Sequence, residues 1–386
     1  MTQVTLKVNQ FAPLNCNHVF DNIKGTLVGK TVSLCQHCHQ HIPAHTYHID
    51  NQFWMVKSCR VHGVSHHMIE RDYAFLLSLV HNESWYEKNC VLFEVTDKCN
   101  VECPHCYHMP DNKMLDNPVE EIISRIKEWY VPNLGLMLAG AEASLHKDLL
   151  SLIQRIVQEF DWHDLLIMTN GVRFADKEFL VECKDAGLKG LCIGLNHPSY
   201  LDNKTIRRKQ IQAIENANDA DMMIAYVSYT MSSISELEDI LTETTSSNWR
   251  PVMYRIRYGS DIGRYPDQAR MYLSDIYKAT EDWCKRNGKS FERINGDDNI
   301  YHVMVRIDGD NYRLIQWCDE TDIHMEELRT GPYCDFVHDG ITNFLHQVIR
   351  RDVLKNKAIP LPDVPPIRYQ LAGSSDTSEL DFSKLY

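Results

Sequence analysis

The strongest constraint on this chain is a loop of three cysteines that directly follows an apolar stretch. Cys99, Cys103 and Cys106 form a C-x3-C-x2-C pattern, and residues 90–95 before it are typical of a buried strand. Three thiolates in one tight loop can hold three irons of a four-iron cluster, which leaves the fourth iron open to another molecule. The spacing differs from the C-x2-C-x2-C runs of ferredoxins, which supply four cysteines.

A zinc knuckle is the alternative interpretation of the same loop. Zinc takes four ligands in structural sites, and His105 or His108 could complete the set. A loop this short would have to fold very tightly to place four ligands around one ion. The spacing therefore favours the open iron cluster while leaving the zinc site as an alternative.

Composition narrows the class of protein. The chain has 386 residues with 44% hydrophobic side chains, which is enough for a large core over two or three domains. A formal net charge of −13 argues against a broad grip on nucleic-acid phosphates. No apolar run approaches the ~20 residues of a membrane span, and the first residues lack the features of a signal peptide. We therefore expect a cytoplasmic protein, in which 13 cysteines indicate metal binding rather than a set of disulfides. Most of the four isolated cysteines, Cys90, Cys183, Cys192 and Cys284, are expected to be core residues.

The N-terminal region carries a second metal-binding pattern. Cys35 and Cys38 are followed by Cys59 and His62 in a C-x2-C-x20-C-x2-H arrangement, which is typical of two knuckles that share one ion. This spacing favours a structural zinc, with a rubredoxin-like iron or an auxiliary iron–sulfur cluster as alternatives. Between the knuckles we expect a hairpin of residues 45–49 and 53–57, turned at Asp50-Asn51.

The central region alternates apolar strands with amphipathic helices. The predicted strands are residues 90–95, 134–139, 165–168, 191–195, 223–230 and 252–257. The predicted helices are residues 118–131, 146–160, 176–186, 205–218 and 233–242. Such alternation is typical of an α/β fold with a parallel sheet, and six strands suit an open or partial barrel.

Distinctive residues follow the predicted strands. The cysteine loop follows the first strand, Gly140-Ala141-Glu142-Ala143 the second, Thr169-Asn170-Gly171 the third, and Asn196 the fourth. In parallel sheets the chemistry gathers at the carboxyl ends of the strands. We therefore expect these residues to meet at one edge of the sheet.

Together the cysteine loop, the Gly-x-Glu turn after the second strand and the Thr-Asn-Gly turn after the third resemble the radical SAM superfamily over residues 88–260. The resemblance implies a partial (β/α)6 barrel, a [4Fe–4S] cluster and S-adenosylmethionine. The upstream Cys/His ribbon is similar to a branch that includes the archaeal pterin methylase and tetraether lipid synthase types. That branch carries out C-methylation and carbon–carbon coupling, so the resemblance implies a transferase or a C–C bond-forming enzyme acting on an organic substrate.

The resemblance also implies a mechanism for the loop. Cys99, Cys103 and Cys106 would ligate three irons, and the fourth iron would take the amino and carboxylate groups of S-adenosylmethionine. Reductive cleavage would give a 5′-deoxyadenosyl radical that abstracts hydrogen from an unactivated C–H bond. Reduced flavodoxin or ferredoxin would supply the electron.

Further cofactor contacts follow from the same resemblance. Glu142 would accept hydrogen bonds from the ligand ammonium, although the usual Gly-Gly-Glu-Pro turn is altered here, and Gly140 would allow a close backbone approach. The remaining cofactor-binding candidates are Asn170 of the Thr-Asn-Gly motif and His105 beside the adenine. Asn196 and Ser228 are expected near the ribose, and Arg255 or Arg257 at the carboxylate. Cys192 could face the barrel as a hydrogen donor, but a buried structural cysteine is the stronger interpretation.

The C-terminal region is predicted to be a small α+β extension. We expect a hairpin of residues 301–307 and 312–317 turned at Gly309, and a helix over residues 341–355. Cys318 and Cys334 could join an auxiliary cluster or cap the barrel. The predicted domains are a metal ribbon at 1–84, the barrel at 85–290, the extension at 291–372 and a flexible tail at 373–386. A non-catalytic metal-binding or electron-transfer module is the rival hypothesis; it leaves Glu142 and the Thr-Asn-Gly motif without a purpose.

Overall fold

The computed structural model describes residues 20, 23–35, 41–79, 90–103, 106, 110, 116–129, 135–161, 164–198, 203–258, 271–294, 302–315 and 336–338. These residues form two sheets. A four-stranded sheet lies in the N-terminal region, and a ten-stranded sheet comprises all strands from Cys90 onward.

The N-terminal sheet is an antiparallel meander. Its strands are β1 (Thr26–Leu34), β2 (His41–Ile49), β3 (Gln52–Cys59) and β4 (Gly63–Glu70). Asp50 and Asn51 join β2 to β3 with φ of 49° and 60°, the left-handed conformation that Asp and Asn tolerate better than other side chains. The predicted hairpin is confirmed. Helix α1 (Tyr73–Leu79) packs Leu76 onto this sheet.

The central strands lie side by side and parallel. They are β5 (Cys90–Thr96), β6 (Gly135–Gly140), β7 (Leu165–Thr169), β8 (Gly190–Gly194), β9 (Met223–Met231) and β10 (Met253–Tyr258). The helices between them are α2 (Val119–Trp129), α3 (Leu149–Glu159), α4 (Lys177–Ala186), α5 (Lys204–Asp219) and α6 (Glu236–Ser246). The strands neighbour one another in chain order. This confirms the six predicted strands of the partial barrel and the five predicted helices between them.

All these helices cover one face of the sheet. Ile126, Ile153 and Ile214 from three of them share one core with strand residues such as Phe93 and Val227. Because side chains alternate across a strand, the intervening residues point to the opposite face, which we call the inner face. Its apolar members include Leu92, Met137, Ala139, Cys192, Tyr226 and Ile315.

Local signals set the helix ends. Asp176 caps α4 by accepting hydrogen bonds from the backbone N–H groups of Glu178 and Phe179. The helix ends at Gly187, whose φ of 116° suits glycine. Asn203 caps α5 through the N–H of Ile206 at 3.1 Å.

The C-terminal hairpin extends the same sheet. Strands β12 (His302–Ile307) and β13 (Asp310–Ile315) are joined by Asp308 and Gly309, as predicted. Strand β13 runs parallel to β10, and β11 (Phe291–Arg293) adds to β12 at the edge. At the other edge β14 (Phe336–His338) pairs with β5. Helix α7 (Leu273–Arg286), which the sequence analysis did not predict, packs against the strands of the hairpin.

The ribbon is held against the barrel by one buried carboxylate. Glu70, at the end of β4, is 1% exposed and accepts hydrogen bonds from the hydroxyl and backbone N–H of Ser274, at 2.5 and 3.3 Å. Ser274 lies in the first turn of α7, so Glu70 satisfies an N–H group that the helix cannot. Arg71 adds an ion pair to Asp275 at 3.2 Å. Both sheets are therefore tied to the same helix.

In the part of the chain that the structure describes, the helices are too short or too polar to cross a membrane.

Candidate functional site

The cysteine loop leaves the carboxyl end of β5 as a compact turn. The N–H of Cys106 donates to the carbonyl of Cys103 at 3.2 Å, and the N–H of Val101 donates to the sulfur of Cys99 at 3.4 Å. The side chain of Val101 is buried, which anchors the loop on the barrel. The turn therefore brings three sulfurs to one strand end.

Gly140 sets how closely the next strand end approaches this loop. Its φ is 127°, and a Cβ at this position would lie 2.3 Å from the carbonyl oxygen of Thr96. The next N–H, of Ala141, donates to that same oxygen at 2.9 Å. Gly140 was predicted to allow a ligand to approach the backbone closely. In the structure, the group that approaches Gly140 is the backbone of Thr96, which leads into the cysteine loop.

Glu142 links the ends of two strands. Its carboxylate is 1% exposed and accepts hydrogen bonds from the hydroxyl of Thr169 at 2.6 Å, the N–H of Asn170 at 2.6 Å and the N–H of Ser144 at 3.2 Å. The Ser144 hydroxyl is a further donor. Burial raises the pKa of the carboxyl, and these hydrogen bonds oppose the rise. Glu142 thus holds the Thr-Asn-Gly turn in place; its contact with a ligand ammonium stays a prediction.

Two asparagine amides point at the cysteine sulfurs. Nδ2 of Asn170 lies 3.8 Å from Sγ of Cys99 and 2.8 Å from Oδ1 of Asn100. Nδ2 of Asn196 lies 3.7 Å from Sγ of Cys103. Both asparagines were predicted at the cofactor, but their contacts to sulfur were not predicted.

A partly buried network that was not predicted from the sequence fixes Asn196. The guanidinium of Arg207 donates to the carbonyl of Asn196 at 2.5 Å and to both oxygens of Glu243 at 2.5 and 2.6 Å. The hydroxyl of Tyr229 donates to Glu243 at 2.5 Å. Helices α5 and α6 therefore position the strand end whose side chain contacts Cys103.

The thiols of the loop are difficult to ionise without a cation. Burial, reinforced by neighbouring negative charges, raises the pKa of Cys99 to about 11 and that of Cys103 to about 12. The sulfurs of Cys99, Cys103 and Cys106 lie close enough for their charges to repel. Hydrogen bonds from the side-chain amides of Asn170 and Asn196 favour the thiolate forms of Cys99 and Cys103. Three cysteine sulfurs, two of which lie near a side-chain N–H donor, fit a [4Fe–4S] cluster held by three thiolates.

The predicted carboxylate and ribose contacts lie on the inner face. Ser228 on β9 and Arg255 on β10 are buried, and the Arg255 guanidinium lies 4.5 Å from the centre of the Tyr226 ring. Arg257 donates to the hydroxyl of Thr230 at 2.8 Å. The positive charge of Arg257 opposes the rise in the pKa of Cys103.

Cys192 is fully buried on the same face. Burial raises the pKa of its thiol to about 12, and it shares a hydrogen bond with the hydroxyl of Tyr226. This environment is that of a structural cysteine.

The ribbon brings together three of its four predicted ligands. Nδ1 of His62 lies 3.5 Å from Sγ of Cys35 and 3.5 Å from Sγ of Cys59, and the three ligand atoms lie within 4.8 Å of one another. Burial disfavours ionisation of Cys59, but hydrogen bonds from the backbone of His62 and Val61 outweigh it and lower the pKa to about 7. A pKa near neutrality suits a thiolate metal ligand. Cys38, the fourth predicted ligand, lies outside the described residues, as do His105, Cys318 and Cys334.

Comparison with protein families matches both parts of this chain. The radical SAM superfamily matches residues 93–242, which run from β5 into α6 and include all three cysteines of the loop. The chain contains a radical SAM domain. The HMPTM N-terminal zinc ribbon domain matches residues 27–71, which cover strands β1 to β4 upstream of the radical SAM domain. Both resemblances identified from the motifs are confirmed.

The chain is also similar to curated proteins. A 7,8-dihydro-6-hydroxymethylpterin dimethyltransferase of Methanocaldococcus jannaschii is 23% identical over an alignment 205 residues long, which covers 45% of this chain and 40% of the relative. A GTP 3′,8-cyclase of Campylobacter jejuni is 27% identical over an alignment 209 residues long, which covers 49% of this chain and 64% of the relative. The chain thus spans about half the length of the curated relatives it matches.

Among solved structures, SuiB of Streptococcus suis bound to S-adenosylmethionine covers 56% of this chain and is itself covered over 51% of its length. The sequence identity is 14% and the TM-score is 0.41.

Proposed function

We propose that this radical SAM enzyme reductively cleaves S-adenosylmethionine at a [4Fe–4S] cluster held by Cys99, Cys103 and Cys106. The observation that carries the proposal is the convergence of Asn170 and Asn196 on the sulfurs of Cys99 and Cys103. When bound, the reduced cluster and S-adenosylmethionine supply a radical that can attack an unactivated carbon. A reduced flavodoxin or ferredoxin is the proposed electron donor.

The chain's own residues would orient the cofactor and exclude water. Asn170 and Asn196 would donate hydrogen bonds to the sulfurs of the cluster ligands. Glu142 supports the turn that carries Asn170, and it is proposed to contribute to recognition of the ammonium group of S-adenosylmethionine. Arg255 or Arg257, on the inner face of β10, is proposed to pair with the carboxylate of S-adenosylmethionine. His105, Gly140 and Ser228 complete the proposed cofactor site.

The proposed reaction is C-methylation or carbon–carbon bond formation. The support is the combination of an HMPTM-type ribbon with a radical SAM domain, together with the similarity to the pterin dimethyltransferase. The ribbon is proposed to bind zinc through Cys35, Cys38, Cys59 and His62. Its role is structural, because Cys35 and Cys59 are buried within its own small core.

A second candidate is a different modification of a small metabolite. The similarity to GTP 3′,8-cyclase spans more of that relative than does the similarity to the dimethyltransferase. A non-catalytic electron-transfer module is the weaker rival, because it needs neither the buried Glu142 network nor the amides on two of the three sulfurs.

Cleavage of S-adenosylmethionine tests the proposal. The chain is reconstituted anaerobically with iron and sulfide and reduced with dithionite or flavodoxin, and 5′-deoxyadenosine and methionine are quantified. Cys103→Ala is expected to lose cleavage. Cys183→Ala, which changes a buried cysteine in the helix core, is expected to keep it. Cleavage by Cys103→Ala at the parent rate, or no cleavage by the parent, refutes the proposal.

A further inference from the structure

The carboxyl end of β8 extends past the neighbouring strand β7, which ends at Thr169. The N–H of Leu195 donates to the carbonyl of Ser228 on β9 at 2.8 Å. Because the backbone groups of successive residues point to opposite sides of a strand, the carbonyls of Gly194 and Asn196 point away from β9. Backbone carbonyls at such a position need partners from outside the sheet.

Two side chains of helix α5 supply those partners. Nε2 of Gln210, which is 1% exposed, donates to the carbonyl of Gly194 at 2.9 Å. Nη1 of Arg207 donates to the carbonyl of Asn196 at 2.5 Å. The two donors are three residues apart, so they lie on one face of the helix. Helix α5 therefore holds the backbone of the residue whose amide contacts Cys103.

Helix α6 fixes the guanidinium group of Arg207 in turn. Nη2 of Arg207 donates to both carboxylate oxygens of Glu243, at 2.5 and 2.6 Å. The hydroxyl of Tyr229 donates to the same carboxylate at 2.5 Å. Burial and the charge of Glu243 raise the pKa of Tyr229 well above its usual value, so its hydroxyl keeps the proton that it donates. The rigid fork of Arg207 thus joins α6 to the end of β8.

We propose that Arg207 is a positioning residue that sets the reduction potential of the cluster through Asn196. This inference rests on the proposed function, because it requires an iron–sulfur cluster at Cys103. Arg207 holds the carbonyl of Asn196, and that hold keeps the side-chain amide aimed at the sulfur. Hydrogen bonds to the sulfurs of a cluster favour its reduced state. Displacement of Asn196 should therefore make the cluster harder to reduce.

Arg207→Lys is the first test, because lysine keeps the positive charge but loses the planar fork that joins two acceptors. The potential is measured on the reconstituted protein by a redox titration followed by electron paramagnetic resonance. We expect a roughly threefold fall in the equilibrium constant for reduction, about 28 mV for a one-electron couple. Arg208→Lys, the same change at the neighbouring exposed arginine, is the matched control and should keep the parent potential. Iron content and thermal midpoint report whether each variant is folded and loaded.

Glu243→Gln separates the effect of position from that of charge. If α6 acted on the cluster only through its electric field, removal of this negative charge would raise the potential. If α6 acts through Arg207 and Asn196, the weakened hold on the guanidinium group lowers the potential instead. We expect a fall in Glu243→Gln, and an unchanged or raised potential overturns the proposal.

The double variant that combines Arg207→Lys with Asn196→Ala tests whether Arg207 acts through the amide. Once the amide is absent, the change at Arg207 should add no further shift. An additive shift overturns the proposal, as do equal potentials in the parent and Arg207→Lys. Failure of the parent to bind a cluster would refute the proposed function and this inference together. A cluster that binds without cleaving S-adenosylmethionine still has measurable potentials, so the two proposals can fail separately.

Discussion

The amide nitrogen of Asn196 lies 3.7 Å from the sulfur of Cys103, 93 positions earlier in the chain. Asn170 makes the equivalent contact to Cys99 at 3.8 Å. Hydrogen bonds to the sulfurs of an iron–sulfur cluster stabilise its reduced state, because they offset the negative charge that reduction adds. The two strand ends therefore carry donors that make the proposed cluster easier to reduce.

Asn196→Ala should lower the reduction potential of the cluster. Loss of one hydrogen bond worth roughly 1 kcal/mol corresponds to a shift of about 40 mV for a one-electron couple. A redox titration followed by electron paramagnetic resonance measures the shift. Asn218→Ala, on the outer helix α5, is the control and should leave the potential unchanged. Equal potentials for Asn196→Ala and the parent would contradict a role for the amide at the sulfur.

Gly140→Ala should destabilise the fold more than an ordinary substitution at positive φ. The added Cβ meets the carbonyl oxygen of Thr96 at 2.3 Å, and the backbone φ of 127° disfavours any side chain. Gly309→Ala isolates the backbone effect, because Gly309 has a φ of 99° but a Cβ there meets no atom within 4 Å. We expect a loss of about 1 kcal/mol for Gly309→Ala and about 3 kcal/mol for Gly140→Ala in denaturant unfolding. Equal losses would mean that the approach to Thr96 costs nothing.

Glu94→Gln should change how stability depends on pH. Burial, with a smaller contribution from the charge of Asp97, raises the pKa of Glu94 from 4.5 to about 7, against the attraction of Arg125. A raised carboxyl pKa stabilises the folded state fully below the unfolded pKa, and that stabilisation is lost as the pH rises through 7. Its size is at most about 3.5 kcal/mol, since each pKa unit corresponds to about 1.4 kcal/mol.

The measurement compares the free energy of unfolding at pH 5 and pH 8. The parent should lose more stability over this range than Glu94→Gln. Glu121→Gln, a change of an exposed carboxyl on α2, should behave as the parent does. An identical pH dependence in Glu94→Gln and the parent would show that Glu94 does not titrate in this window.

Cys59→Ser should abolish metal binding by the ribbon and lower the thermal midpoint of the protein. Cys59 lies with Cys35 and His62 in a cluster whose ligand atoms are within 4.8 Å of one another, so its loss removes a metal–thiolate bond. Metal content by plasma mass spectrometry and thermal unfolding with and without a chelator measure both effects. The comparison variant is Cys284→Ser, a buried cysteine on α7. It should retain the metal, and retention by Cys59→Ser would refute the ligand assignment.

Much of the fold could be predicted because its signals are local. The parallel strands follow from short apolar stretches and their helices from an apolar period of about 3.6 residues. The Asp50-Asn51 turn follows from the conformations those residues tolerate. Helix α7 was missed, although Leu273, Ile276, Thr280 and Trp283 provide a helical period. The segments on either side of α7 have no regular apolar pattern, so its helical period was not recognised.

The contacts of the site could be predicted only in part. The order of motifs at successive strand ends indicated that Glu142, Asn170 and Asn196 would gather near the cysteines. Which atom each side chain contacts depends on register, twist and helix position. The contact between Arg207 and the carbonyl of Asn196 depends on how α5 lies against β8, which no local pattern encodes.

The capping of α7 by Glu70 gives the ribbon an influence beyond its own sheet. A ligand that binds only the folded ribbon also stabilises the position of Glu70, and through it the first turn of α7. By thermodynamic linkage, metal binding in the N-terminal region should stabilise the helix on the barrel wall, and the folded helix should strengthen metal binding by the same coupling free energy. The two sheets should therefore melt as a single cooperative unit when metal is bound, and lose that cooperativity when it is removed.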